Sequence, residues 1–143
     1  MSQEPTTHDL VELTRRTFDA YNRRDFDAIT RFVASDAVWE AVSLGTSFEG
    51  VAAIRGFLDD WLGGYEEFEF ELEQILDFGN GVVFAMVHQN ARPVASTGYV
   101  QMHHANVMVW VNGVTARAPH YNDIDEARAA AERLAEERAQ SDA

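Results

Sequence analysis

The stretch VQMHHANVMVWVNGVTARAPHYND, residues 100–123, carries two adjacent histidines, an Asn-Gly pair and a further histidine beside a tyrosine. Asn112-Gly113 is the dipeptide of a two-residue hairpin turn, joining strands at about 97–111 and 114–122. Side chains alternate along a strand, so His103 and His104 point to opposite faces and are not a paired site. With an unbroken ladder Val111 faces Val114. One face then carries His104, Asn106, Met108 and Trp110 with Thr115, Arg117, Pro119 and Tyr121. The other carries His103, Ala105, Val107 and Val109 with Ala116, Ala118 and His120. Both faces hold apolar residues, and burial alone does not choose between them.

Upstream, the pattern predicts a helix opened by a Thr6/Asp9 capping box and running to about Tyr21. Asp25 caps a short second helix with Phe26, Ile29, Phe32 and Val33 facing inward. AVWEAV, residues 37–42, reads as a short strand. Gly50 precedes a helix with Ile54, Phe57, Leu58 and Trp61 on one side, stopped at Gly63-Gly64. In EEFEFELE, residues 66–73, Phe68, Phe70 and Leu72 alternate with Glu67, Glu69, Glu71 and Glu73, the period of a half-buried strand with a solvated acidic face. A strand at about 82–91 follows the Asn80-Gly81 turn. Asp123 and Glu126 form a capping box for a last helix, to about Ala139. The order implies an α+β fold: a loose tail over 1–6, a domain over 7–127, and the end of the last helix with a tail over 128–143.

The 143 residues suit one domain, and 46% hydrophobic content supplies a core. There is no cysteine, which excludes disulfides, a thiolate nucleophile and cysteine-ligated zinc. A net charge of −13 repels phosphate backbones and anionic lipid, so neither nucleic acid nor membrane is an expected partner. The first residues, MSQEPTTHDL, lack a basic region followed by an apolar run, and a cytoplasmic location is the expectation.

FDAYNRRDFDAITRFVASDAVWE, then FEGVAAIRGFLDDW, then NGV followed by HYNDIDEA, resemble the nuclear transport factor 2-like superfamily, closest to its SnoaL-like and ketosteroid isomerase-like branches. The resemblance spans about residues 8–127. It implies a cone: a strongly bent, mixed or antiparallel sheet wrapped on N-terminal helices, an apolar pocket inside, and a homodimer through the outer sheet face. It also implies that Trp110, Arg117, Tyr121 and Asp123 point toward the cone, which brings His104 and Asn106 inward and sends His103 and His120 outward. The same register puts Phe84, Met86, His88 and Asn90 inward on the preceding strand.

These expectations define a candidate site. His104 is the first acid/base candidate, because histidine titrates near neutral pH, with His88 and Asp123 as further candidates. Tyr21, Asn22, Asn106, Arg117 and Tyr121 would position ligand oxygens, with Trp39, Phe57, Trp61, Met86, Met108 and Trp110 as an apolar mould for a small apolar molecule. AYNRRDFD and HHAN resemble a helix end and a strand of scytalone dehydratase, but Asn22 stands for an acid and His104 for a serine. The isomerase branch's general-base aspartate falls near Ala41 and its tyrosine near Thr17. An epoxide-hydrolase set of two aspartates and an arginine is matched only by Arg117 and Asp123, the latter better read as a helix cap. No two histidines share a face and reach with a carboxylate, so no metal or other cofactor is called for. The resulting expectation is a cofactor-independent lyase, isomerase or cyclase acting on an apolar ring compound. The alternative is a non-catalytic binding or dimerisation module, favoured by a collapsed pocket with His104 tied to Tyr121.

Overall fold

The computed structural model describes residues 7–141, with side chains over 10–140, so the Thr6/Asp9 capping box and the tail lie outside the described residues. Three helices come first: α1 (Thr7–Asn22), α2 (Phe26–Arg31) and, after β1 (Val33–Ala41) and β2 (Thr46–Glu49), α3 (Val51–Gly63). Then come β3 (Tyr65–Gly79), β4 (Val82–Pro93), β5 (Val100–Val111), β6 (Val114–Tyr121) and α4 (Ile124–Ser141). Asp25 caps α2 as expected, its Oδ1 accepting from the Ala28 N–H at 3.1 Å. β2 has no signature in the sequence, because it is a four-residue edge strand in which only Phe48 is partly buried, too little for a period to show.

The six strands form one mixed sheet in the order β2-β1-β6-β5-β4-β3, with β1 parallel to β6 and the other pairs antiparallel. Both Asn-Gly turns form as read. Asn80 and Gly81 take φ of 58° and 85°, and Asn112 and Gly113 take 52° and 84°, the left-handed pair of a type I′ turn. In β3, Phe70 is buried while Glu67, Glu69, Glu71 and Glu73 are exposed, as the alternation implied.

Two apolar layers flank the sheet. On the inner face, Leu10, Phe18, Tyr21, Ile29, Ile54, Leu58 and Leu62 of the first helices pack on Phe70, Val83, Val87, Met108 and Trp110. On the outer face, Ala127, Ala130, Ala131 and Ala135 of α4 cover Val82, Phe84, Ala105, Val107, Val109 and Tyr121. The small alanines let the helix lie close to the strands. Val107 and Val109 are therefore buried beneath the chain's own last helix. Asp123 caps α4: its Oδ1 accepts from the Glu126 N–H at 3.0 Å. Asp123→Ala is expected to lower stability by about 1 kcal/mol in urea unfolding. An unchanged midpoint would show that the cap contributes nothing.

The β5–β6 ladder is not unbroken, and this changes the site. Val111 pairs Val114 and Trp110 pairs Thr115, but the next registered pair is Val109 with Arg117, which leaves Ala116 as an extra residue. Such a bulge moves every later side chain of the strand to the opposite face. Ala118 and His120 turn inward, whereas Arg117 and Tyr121, expected inside, turn outward. Pro119 was the available signal: β6 lies between β1 and β5, and a proline in a central strand points to a bulge.

Candidate functional site

A cavity of about 300 Å³ opens between the inner face of the sheet, α1 and α3. Phe48, Phe57, Trp61 and Phe70 stack successively along one wall, with centroid separations of 4.4, 6.0 and 5.6 Å. Tyr21 and Trp39 meet edge to face at 6.2 Å on another. Met108 and Ala118 also line it, and Leu44 and Met102, exposed large apolar residues, belong to the same lining. Aromatic rings offer flat, rigid walls, so the space suits a planar apolar body.

The polar part is a chain of three side chains from adjacent strands. His104 on β5, only 2% exposed, places Nε2 3.0 Å from Gln89 Oε1 on β4. Its Nδ1 lies 2.9 Å from Nε2 of His120 on β6. An amide oxygen only accepts, so the His104 Nε2–H donates to Gln89 and leaves Nδ1 as an acceptor. His120 must then donate from Nε2–H, which leaves its own Nδ1 without hydrogen. His120 is thus the terminal basic nitrogen, and His104 with Gln89 fixes its tautomer.

Burial decides the charge of this chain. It pushes His104 down to about 3, with His120 and His103 adding repulsion, and His120 down to about 4. Both are neutral at pH 7. Burial also pushes the Tyr21 phenol far above its usual range, so it remains a hydrogen-bond donor. Of the described residues lining the cavity only Glu40 is acidic, and its carboxylate is held away from that space by Arg117, whose Nε donates to Oε1 at 2.8 Å.

Several expected residues lie here: His104, Asn106, Tyr21, Trp39, Phe57, Trp61 and Met108 all line the cavity. Trp110 faces inward but packs against Phe32, at 6.4 Å between centroids, rather than lining the space. The others sit elsewhere. His88 lies on the outer face, stacked on His103 at 4.7 Å, because β4 turns Val83, Val87 and Gln89 inward rather than Phe84, Met86 and His88. Met86 belongs to the α4 layer. Asn22 clamps a backbone: its Nδ2–H donates to the Phe70 carbonyl at 3.0 Å and its Oδ1 accepts from the Phe70 N–H at 2.7 Å. Arg117 and Tyr121 are outside, and exposed Asp123 caps α4. The pocket is not collapsed, and His104 is tied to Gln89 and His120, not to Tyr121.

Gln89 and His120 were not read from the sequence as site residues. His120 was hidden by the bulge. Gln89 was hidden because α4 buries the outer face of β4 as fully as the helices bury the inner one over 82–85, which erases the alternation. At Thr17 and Ala41, where the isomerase pair would stand, Thr17 Oγ1–H donates to the Leu13 carbonyl at 2.9 Å and Ala41 lines the cavity. Among the described residues no group of three side chains is placed to hold a metal ion, and no helix is long and apolar enough to cross a membrane.

The fold has many solved relatives. A putative SnoaL-like polyketide cyclase from Shewanella denitrificans OS-217 is 14% identical, with a TM-score of 0.69 over 78% of this chain and 88% of that one. An NTF2-like protein of unknown function from Burkholderia pseudomallei K96243 is 15% identical, with a TM-score of 0.72 over 85% and 95%. An LEH-like epoxide hydrolase from M. tuberculosis is 18% identical, with a TM-score of 0.70 over 86% and 91%. At these identities the likeness establishes the nuclear transport factor 2-like cone and not a reaction. No curated protein matches the chain. The model of the SnoaL-like domain matches residues 14–118, most of the cone from α1 into β6, and the chain belongs to the SnoaL-like domain family.

Proposed function

We propose that this protein binds a small apolar ring compound and catalyses a cofactor-independent proton transfer on it, as a lyase, isomerase or cyclase does, with His120 as general base. The observation that carries the reading is the hydrogen-bonded chain from Gln89 through His104 to His120, set in an apolar cavity open enough for a ligand. A core histidine satisfied for packing alone needs neither a second imidazole nor an empty space beside it. His120 would take a proton from carbon or oxygen of the ring compound through Nδ1. The charge it gains would spread toward His104, whose Nδ1 accepts from it. Tyr21, held protonated by burial, would donate to the oxygen on which negative charge develops.

The measurement is hydrogen–deuterium exchange at the carbon next to the carbonyl, followed by NMR over a panel of polyketide-like, terpenoid and steroid ketones. Exchange above the buffer rate for at least one member is expected, with that ligand inside the cone in a soaked crystal. Ligands bound in the cone without exchange would favour the non-catalytic module. No binding across the panel would remove the ring-compound reading.

A further inference from the structure

The hydrogen-bond inventory of the cavity says what its ligand must bring. Nδ1 of His120 is an acceptor with no hydrogen, because Gln89 Oε1 orients both imidazoles. A carbonyl placed against that nitrogen would set lone pair against lone pair. A hydroxyl would complete the chain.

The charged surroundings point the same way. From β1, Glu40 gives its carboxylate to Arg117 at 2.8 Å. From β3 comes the Phe70 ring, perpendicular to His104 at 5.9 Å between centroids, and from β4 neutral Gln89. α1 presents Tyr21 to the cavity, and His103 next along β5 faces the other side of the sheet, 3.1 Å from Glu73. Among the described residues no carboxylate is hydrogen-bonded to buried His104 or to half-buried His120, and the Tyr21 hydroxyl has no acceptor. A donor awaiting an acceptor and an acceptor awaiting a donor thus line one apolar space.

We infer that the ligand of this cavity is a flat ring compound bearing an acidic hydroxyl, such as an enol, a phenol or a hydroxyquinone, whose oxygen lies against His120 and shares one proton with it. This deepens the function proposed above and rests on the same cavity. A buried anion alone, or a buried imidazolium alone, is heavily penalised, but an ionised oxygen and an imidazole holding one proton between them are together neutral. A ligand that is anionic in water therefore enters with one proton taken from solvent. No bond to carbon is made or broken in this step.

The test uses 2-hydroxy-1,4-naphthoquinone, ionised at neutral pH, and its methyl ether, which keeps the ring and lacks the acidic proton. Calorimetric titration of the whole protein at pH 7.5, in buffers of different ionisation enthalpy, gives the proton count. The hydroxyquinone is expected to bind with about one proton taken up and about tenfold or more tighter than the ether, a step of about 1.4 kcal/mol. The ether should bind with none. In His120→Phe the ether should still bind and the preference for the acid should vanish. Ether binding equal to or tighter than the acid would overturn the inference while leaving the ring-compound reading in place, as would acid binding without proton uptake. Failure of both ligands to bind would overturn the two together.

Discussion

His120→Ala is expected to lower catalysed proton exchange on a responsive ring ketone by about 10²–10⁴-fold, the usual contribution of a positioned general base. Ligand affinity should change far less, since the aromatic walls remain. His103→Ala deletes the same side chain from the outer face and should leave exchange unchanged. His104→Ala should also slow exchange, through kcat rather than KM, because His120 then loses the acceptor that sets its tautomer. Gln89→Glu separates positioning from packing. A carboxylate beside the His104 Nε2–H stabilises the protonated chain and should move the acidic limb of the pH–rate profile upward. An unchanged profile, with wild-type exchange in His120→Ala, would dismiss the histidine chain as the catalytic group.

The second large effect is on stability. An unfolded histidine titrates near 6.5, whereas His104 in the fold is pushed down to about 3 and His120 to about 4. Below pH 6.5 the unfolded chain therefore binds protons that the folded chain refuses. Stability is fully present above that pH and is lost as pH falls toward the folded values. Each proton excluded from the fold costs about 1.4 kcal/mol per pH unit, so His104 alone should remove about 2 kcal/mol between pH 6.5 and 5. That window lies above the range in which ordinary carboxylates titrate. Urea unfolding at several pH values measures it, with His104→Gln as the comparison. The variant should lose about one proton of pH dependence, and equal slopes in the two proteins would contradict the burial of a neutral His104.

Local chemistry determined much of this protein without reference to its tertiary structure. The Asn-Gly dipeptides demanded left-handed backbone at 80–81 and 112–113. Asp25 and Asp123 supplied carboxylates where helix N–H groups need acceptors. The glutamate alternation in β3 assigned its faces, because only one face of that strand is packed against apolar residues over 66–73. That His103 and His104 diverge also followed from the strand period alone.

The partner of His104 did not. One extra residue at Ala116 reverses every side chain after it, and that places His120, rather than Arg117 and Tyr121, in the cavity. In β4 the faces were illegible because α4 packs its alanines on one side while the first helices pack on the other, so both sets of residues are apolar over 82–85. Helix α4 also buries Val107 and Val109 on the outer face of β5. Periodicity encodes a face only where one side is wet and the ladder is continuous. At this site neither condition holds, and only the packed sheet brings Gln89, His104 and His120 onto one line.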